Sequence, residues 1–70
     1  MLRAKIKEYR NKSGLSQWDV ARLIGKKDTY ISGIERETVS LSVERFVFIA
    51  KALKVDNSEI KNTVIRFLGL

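Results

Sequence analysis

The sequence predicts an all-α fold: a compact bundle of five short helices in a single domain spanning residues 1–70. Three observations predict it. Apolar residues recur at 3.6-residue spacing in five separate segments. No proline occurs in the 70 residues, so nothing locks the backbone against continuing a helix. The breaks between segments fall at turn and cap residues such as Ser13-Gly14, Gly25 and Asn57-Ser58.

The first segment carries Leu2, Ile6 and Tyr9 along one face from about residue 2 to Lys12, with Arg3, Lys5, Lys7 and Lys12 pointing elsewhere. Ser13-Gly14 ends it. Leu15 then precedes Ser16, a good N-cap for a second helix from Gln17 to about Ile24, and Asp19 places acid near the positive helix end. Val20, Ala21 and Ile24 share its inner face. Gly25 supplies a left-handed turn and Gly25-Lys26-Lys27 the connection to a third helix, from about Asp28 to Arg36, with Ile31 and Ile34 inward. Each of these two helices is too short to be stable alone. Ala21 is small where bulk is expected, which lets the third helix cross close over the second. Residues 16–36 therefore have the geometry of a helix-turn-helix, whose second helix is shaped for the DNA major groove. Gly33 in a helix interior costs about 1 kcal/mol against Ala, so another surface is expected to approach it closely.

Residues 37–41 read as a loop, and Ser42 with Arg45 three positions on is half a capping box. Val43, Phe46, Val47, Ile49, Ala50 and Leu53 give a fourth helix a wide apolar face, the pattern of a central buried helix. Asn57-Ser58 opens a fifth helix, about 58–68, whose stripe is Ile60, Val64 and Phe67 or Leu68.

Composition narrows the function. A chain of 70 residues buries only about 60% of its unfolded surface, so a partner subunit would help its stability. The 44% apolar content speaks against disorder. With neither Cys nor His there is no disulfide framework, no zinc site and no imidazole base; neither metal nor cofactor is expected. No glycine-rich phosphate loop and no close carboxylate pair offers chemistry, so an enzyme is a remote reading and none is expected. No apolar run approaches the roughly 20 residues of a membrane span and no signal-peptide core follows the N-terminus, so a cytoplasmic protein is expected. The net charge is +6. Residues 1–36 hold nine basic and four acidic side chains, hence +5, and residues 37–70 hold five and four, hence +1. The basic half is the half with the helix pair, which favours a polyanionic partner; a merely solubilising surface would leave the same charge count.

Ile6-x-x-Tyr9-Arg10, Leu15-Ser16-Gln17, Ala21, Ile24-Gly25, Ile31-Ser32-x-Ile34-Glu35 and Ile49-Ala50-Lys51-Ala52-Leu53 resemble, in type and spacing, the phage-repressor and Cro-like (Xre-type) helix-turn-helix family over about residues 5–60. The resemblance implies a five-helix lambda-repressor-like domain that binds double-stranded DNA through the major groove, as a transcription regulator of repressor type. Matched position by position, it implies that Gln17 grips phosphate at the start of the second helix. It places Lys27, Asp28, Thr29 and Ser32 at base-facing or groove-edge positions, with chemistry to suit: Lys27 to guanine, Asp28 from cytosine N4, Thr29 to a thymine methyl. Asp28 could equally serve only as a cap and Thr29 only as support. Lys26, Arg22 and Arg36 flank the same surface as phosphate candidates or as ordinary solvated cations. Arg10 and Glu35 correspond to the pair that ties the first helix to the end of the third, a bidentate ion pair by its chemistry.

Departures from that pattern suggest a second reading. Gly33 stands where the family often carries a base-reading side chain, so it is expected to meet DNA through backbone and shape. Glu37 replaces the usual glycine after the third helix, Leu41 a common proline, and Trp18 a polar residue. Trp18, Leu41 and Phe48, together with Leu23 and Val39, could instead form a protein-binding patch, making the fold an antitoxin-like or adaptor module. In the fifth helix Ile60, Val64, Ile65, Phe67 and Leu68 carry more apolar surface than one stripe needs. They are expected either to pack on their own domain or to form a homodimer that reads a palindromic operator.

Overall fold

The computed structural model describes residues 2–70. Five helices follow in order: α1 (Leu2–Lys12), α2 (Gln17–Leu23), α3 (Thr29–Glu35), α4 (Val43–Ala52) and α5 (Asn57–Leu68). Among the described residues there is no strand, and no helix is long and apolar enough to cross a membrane.

The starts of the helices are chemically explicit. Ser16 and Asp19 form a reciprocal capping box: the Ser16 hydroxyl accepts from the Asp19 amide at 3.0 Å, and Asp19 accepts from the Ser16 amide at 3.1 Å. Ser42 caps α4 by accepting from the Arg45 amide at 3.1 Å. The α5 cap is Asp56, one residue before the Asn57-Ser58 start read from sequence; its carboxylate accepts from the Ser58 amide. A carboxylate is the better acceptor for exposed N–H groups at the positive helix end.

All five helices end alike, in a left-handed residue followed by a backbone bond from the next amide to a carbonyl five residues back. The left-handed residues are Gly14, Gly25, Glu37, Lys54 and Gly69, and the closing bonds include Lys26 to Ala21 at 2.9 Å and Thr38 to Gly33 at 2.8 Å. Glu37 thus adopts the backbone that the expected glycine would have supplied. A side chain at φ 66° or 60°, the values at Glu37 and Lys54, costs on the order of 1–3 kcal/mol in strain, part of which glycine returns as unfolded-state entropy. Glu37→Gly and Lys54→Gly are each expected to stabilise the domain by about 1 kcal/mol, a rise in Tm of roughly 4–8 °C by thermal unfolding.

The core is the sum of the inward stripes: Leu2, Ile6 and Tyr9 from α1, Val20 and Ala21 from α2, Ile31 and Ile34 from α3, Phe46, Ile49 and Ala50 from α4, then Leu53 and Ile60. Ala21 is fully buried, where α2 and α3 pack together. The hub differs from the sequence expectation. It is α1 that packs most closely on three other helices, α3, α4 and α5, whereas α4 packs closely on α1 and α5 and meets α3 only at its margin, through Arg45 and Tyr30. The wide face of α4 is only partly used: Val43 and Val47 stay half-buried and Phe48 is exposed.

The α1 and α5 helices are also joined by polar atoms. The Tyr9 hydroxyl lies 2.9 Å from the Glu59 carboxylate and 3.0 Å from the hydroxyl of Thr63, which is buried and itself donates to Glu59 at 3.1 Å. Burial, then the neighbouring carboxylate, pushes the Tyr9 pKa up, while hydrogen bonds from Tyr9 and Thr63 hold Glu59 below the ordinary carboxylate value.

Candidate nucleic-acid interface

The helix pair is anchored from beneath by a carboxylate. Glu35, in the last turn of α3, receives the Arg10 guanidinium in a bidentate pair: Nε to Oε2 at 2.8 Å and Nη2 to Oε1 at 3.1 Å. Both side chains are largely removed from solvent, at 12% and 6% exposure. The third Arg10 nitrogen, Nη1, donates to the Leu15 carbonyl at 3.1 Å, so one guanidinium joins α1, the α1–α2 turn and α3. Burial alone would raise the Glu35 pKa. The hydrogen bonds from Arg10 and Gln17, with the Arg10 charge, outweigh it and hold the carboxyl below its ordinary value.

Gln17 is therefore not a freely solvated amide. Its Nε2 donates to Glu35 Oε1 at 2.9 Å, which fixes the side chain and leaves a second amide hydrogen free to point elsewhere. Beyond it on α2, Trp18 is 49% exposed and the Arg22 guanidinium stacks on its ring at 4.3 Å.

Lys26, Lys27, Asp28 and Thr29 are all exposed at the start of α3, as is Arg36 at its end. Asp28 makes no side-chain cap hydrogen bond, so the capping role left open by the sequence is not taken, and its carboxylate is available to a partner. Ser32 is half-buried and turns its hydroxyl back onto the Thr29 carbonyl at 3.0 Å.

Gly33 departs from the expected arrangement. It is buried rather than groove-facing, because the loop after α3 folds over it: a Cβ built there would lie 2.5 Å from Val39 Cγ2 and 3.2 Å from Thr38 Oγ1. The surface approaching Gly33 is thus the chain's own loop, and Gly33 is removed from the DNA-facing set. Two of the proposed patch residues also change. Leu41 and Val39 are half-buried against the core, whereas Phe48 is 55% exposed and lines a different groove.

That groove holds two residues that sequence reading did not single out. Tyr30 lies between the Lys26 ammonium at 5.5 Å and the Arg45 guanidinium at 5.7 Å, and its hydroxyl is hydrogen-bonded by Arg45. With Ile24, Ser42, Glu44 and Phe48 they line an open depression of about 580 Å³ beside the start of α3. Arg45 was visible only as the wrong residue for a capping box. The i, i+4 pair Lys26 and Tyr30 was the one signal available.

In α5, Ile60 is 4% exposed and belongs to the domain's own core, so it is corrected from the interface set. Val64 and Ile65 are half-buried, while Phe67 and Leu68 are 44% and 52% exposed. Val47, Ile60, Val64 and Ile65 give the cleft between α4 and α5 an apolar lining, with Lys51, Asn57 and Lys61 completing it.

Comparison with known proteins agrees with this geometry. A family model described as helix-turn-helix matches residues 6–60. Control protein C.SmaI of Serratia marcescens is 34% identical over 53 residues, covering 76% of this chain. The chain spans 63% of that relative's length. No solved structure matches the chain.

Proposed function

Because the chain belongs to the helix-turn-helix family, a family of DNA-binding transcription regulators, we propose that it recognises a specific double-stranded DNA sequence and regulates transcription, as a repressor of Cro type, by occupying its operator in the cytoplasm. The observation that carries this reading is the exposed run Lys27-Asp28-Thr29 at the start of α3, with Gln17 and Arg22 on α2 and Lys26, Tyr30 and Arg45 beside α3. A helix end presenting short polar side chains suits base edges; flanking cations and amides suit phosphate. Lys27, Asp28, Thr29 and Ser32 are assigned to the bases. Gln17, Lys26, Arg22 and Arg36 are assigned to the backbone, joined by Tyr30 and Arg45. The mechanism is occupancy, steric or by recruitment, with no chemical step. The relative's name, a control protein, supports a regulatory role.

A homodimer is part of the proposal. Val64, Ile65, Phe67 and Leu68 would be covered by a second copy, and a two-fold axis would set the two α3 helices about 34 Å apart on one face of a palindromic site. Sedimentation of the free protein across a concentration range tests this, and a monomer at all concentrations would remove it.

The rival reading, a protein-interaction module, loses two of its motives: Gly33 is explained by packing and Glu37 by its left-handed backbone. It keeps the exposed Trp18 and Phe48. Binding to random and genomic DNA fragments at low and high salt separates the readings, since a pure adaptor selects no sequence. On a selected operator, Thr29→Ala is expected to relax preference at one base position, a loss of roughly 1–3 kcal/mol on the best sequence. Gln17→Ala is expected to weaken all sequences alike. Two variants that behave identically would count against the division of roles.

A further inference from the structure

We infer that Arg3 is a positioning residue for DNA recognition, acting through the loop that follows α3. Arg3 is half-buried, and its Nη1 donates to two distant carbonyls at once: Ile34 at 2.6 Å and Val39 at 2.7 Å. Ile34 is in the final turn of α3 and Val39 is in the loop leading to α4. One guanidinium nitrogen therefore joins the first turn of α1, the C-terminal end of α3 and the loop.

Its location makes a purely helical role a poor explanation. A cation in the first turn of α1 faces the positive end of that helix, an unfavourable place for it. The favourable partner is the other end of a different helix, where the last carbonyls of α3 carry negative potential; the Ile34 carbonyl accepts from the Glu37 amide at 3.2 Å and has a second lone pair for Arg3. Charge-assisted bonds there are stronger than neutral ones. Val39 is the same residue that covers Gly33, so Arg3 holds the loop from the side while Gly33 leaves the space into which it packs. Arg36, Thr38, Ser40 and Ser42 are exposed along this segment. Fixing Val39 thus fixes both the end of α3 and the polar rail beside it, whose placement decides whether the base-facing residues and the phosphate-facing residues engage together.

This inference rests on the DNA-binding reading, and the test separates the two. Arg3→Met keeps the stem without the charge, and Arg3→Lys keeps the charge without the planar guanidinium. Each is compared with the wild-type protein for affinity to the selected operator and to random duplex over a salt series, with folding followed by circular dichroism. Positioning predicts that Arg3→Met loses about tenfold in operator affinity while its random-duplex affinity and salt slope stay unchanged, and that Arg3→Lys recovers only part of the loss. Equal losses on both DNAs, with the salt slope reduced by about 0.9, would identify a direct phosphate contact instead and overturn the inference. Unchanged preference in Arg3→Met would overturn it too, as would an Arg3→Lys variant indistinguishable from wild type. If Arg3→Met fails to fold, Arg3→Lys alone decides. A wild-type protein that selects no operator would overturn the DNA-binding reading itself.

Discussion

Glu35→Ala is expected to destabilise the domain by about 3 kcal/mol, because it leaves the Arg10 guanidinium largely buried without its carboxylate. For a domain of this size that is a fall in Tm of more than about 10 °C. The single replacement also frees Gln17 Nε2, which donates to the same carboxylate, so DNA affinity should fall beyond what partial unfolding explains. Arg10→Ala is expected to cost a similar amount. The double variant should cost less than the sum of the two, since it removes the stranded charge along with the pair. Absence of coupling in this double-mutant cycle, measured by denaturant unfolding, would show that the pair does not act as a unit.

The pH dependence follows from the same carboxylate. Its pKa in the folded protein is lowered from the ordinary 4.5, so its contribution is complete above that value and is lost as pH falls through the folded pKa. Stability should therefore decline on the acid side of about 4.5, and less of that decline should remain in Glu35→Ala. Some remains because Glu59, also held low, contributes in the same direction.

The second large effect is expected at Gly33. Alanine is the better helix former by about 1 kcal/mol, yet its Cβ would lie 2.5 Å from Val39 Cγ2, a distance that forces the loop to move. Overpacking of this kind costs about 1–3 kcal/mol, and a β-branched neighbour fixed by Arg3 cannot simply swing away. Gly33→Ala should therefore destabilise the domain, with a further loss of operator preference as the loop is displaced. In a Val39→Ala background the same substitution should be nearly neutral or stabilising. If Gly33→Ala alone stabilised the domain, the close packing of the loop would be refuted.

Much of the fold was legible because helical periodicity is a local signal. Leu2, Ile6 and Tyr9, or Ile31 and Ile34, declare their faces within two turns of chain. The left-handed turn at Gly25 and the helix end at Gly14 were equally visible, whereas the left-handed residues Glu37 and Lys54 were not, since a side chain there carries no mark of the strained backbone. The hub was misplaced because apolar width suggests burial without saying which helices converge. The narrower inward face of α1 is used fully, and that of α4 is not.

At the candidate site the limit was sequence distance. The exposed run Lys27 to Thr29 could be expected from its place in a helix pair. Arg10 with Glu35 came from family resemblance, and the contact is present. Nothing local linked Arg3 to Val39 or Tyr30 to Arg45, which meet only once the chain has folded. Gly33 was correctly suspected of close packing and wrongly placed against DNA, because the same missing side chain serves either purpose. Ile60 likewise fitted a dimer stripe and a core stripe equally well, and burial decided between them.

The most direct test of the central claim is titration of isotopically labelled protein with its selected duplex, following each backbone amide by nuclear magnetic resonance. The account predicts saturating shifts concentrated at Gln17, Lys26 to Tyr30, Ser32 and Arg36, with the Ile31 and Ile34 core amides following more weakly and the exposed face of α5 unaffected by the DNA. Shifts confined to α4 and α5, or none at low salt, would contradict it.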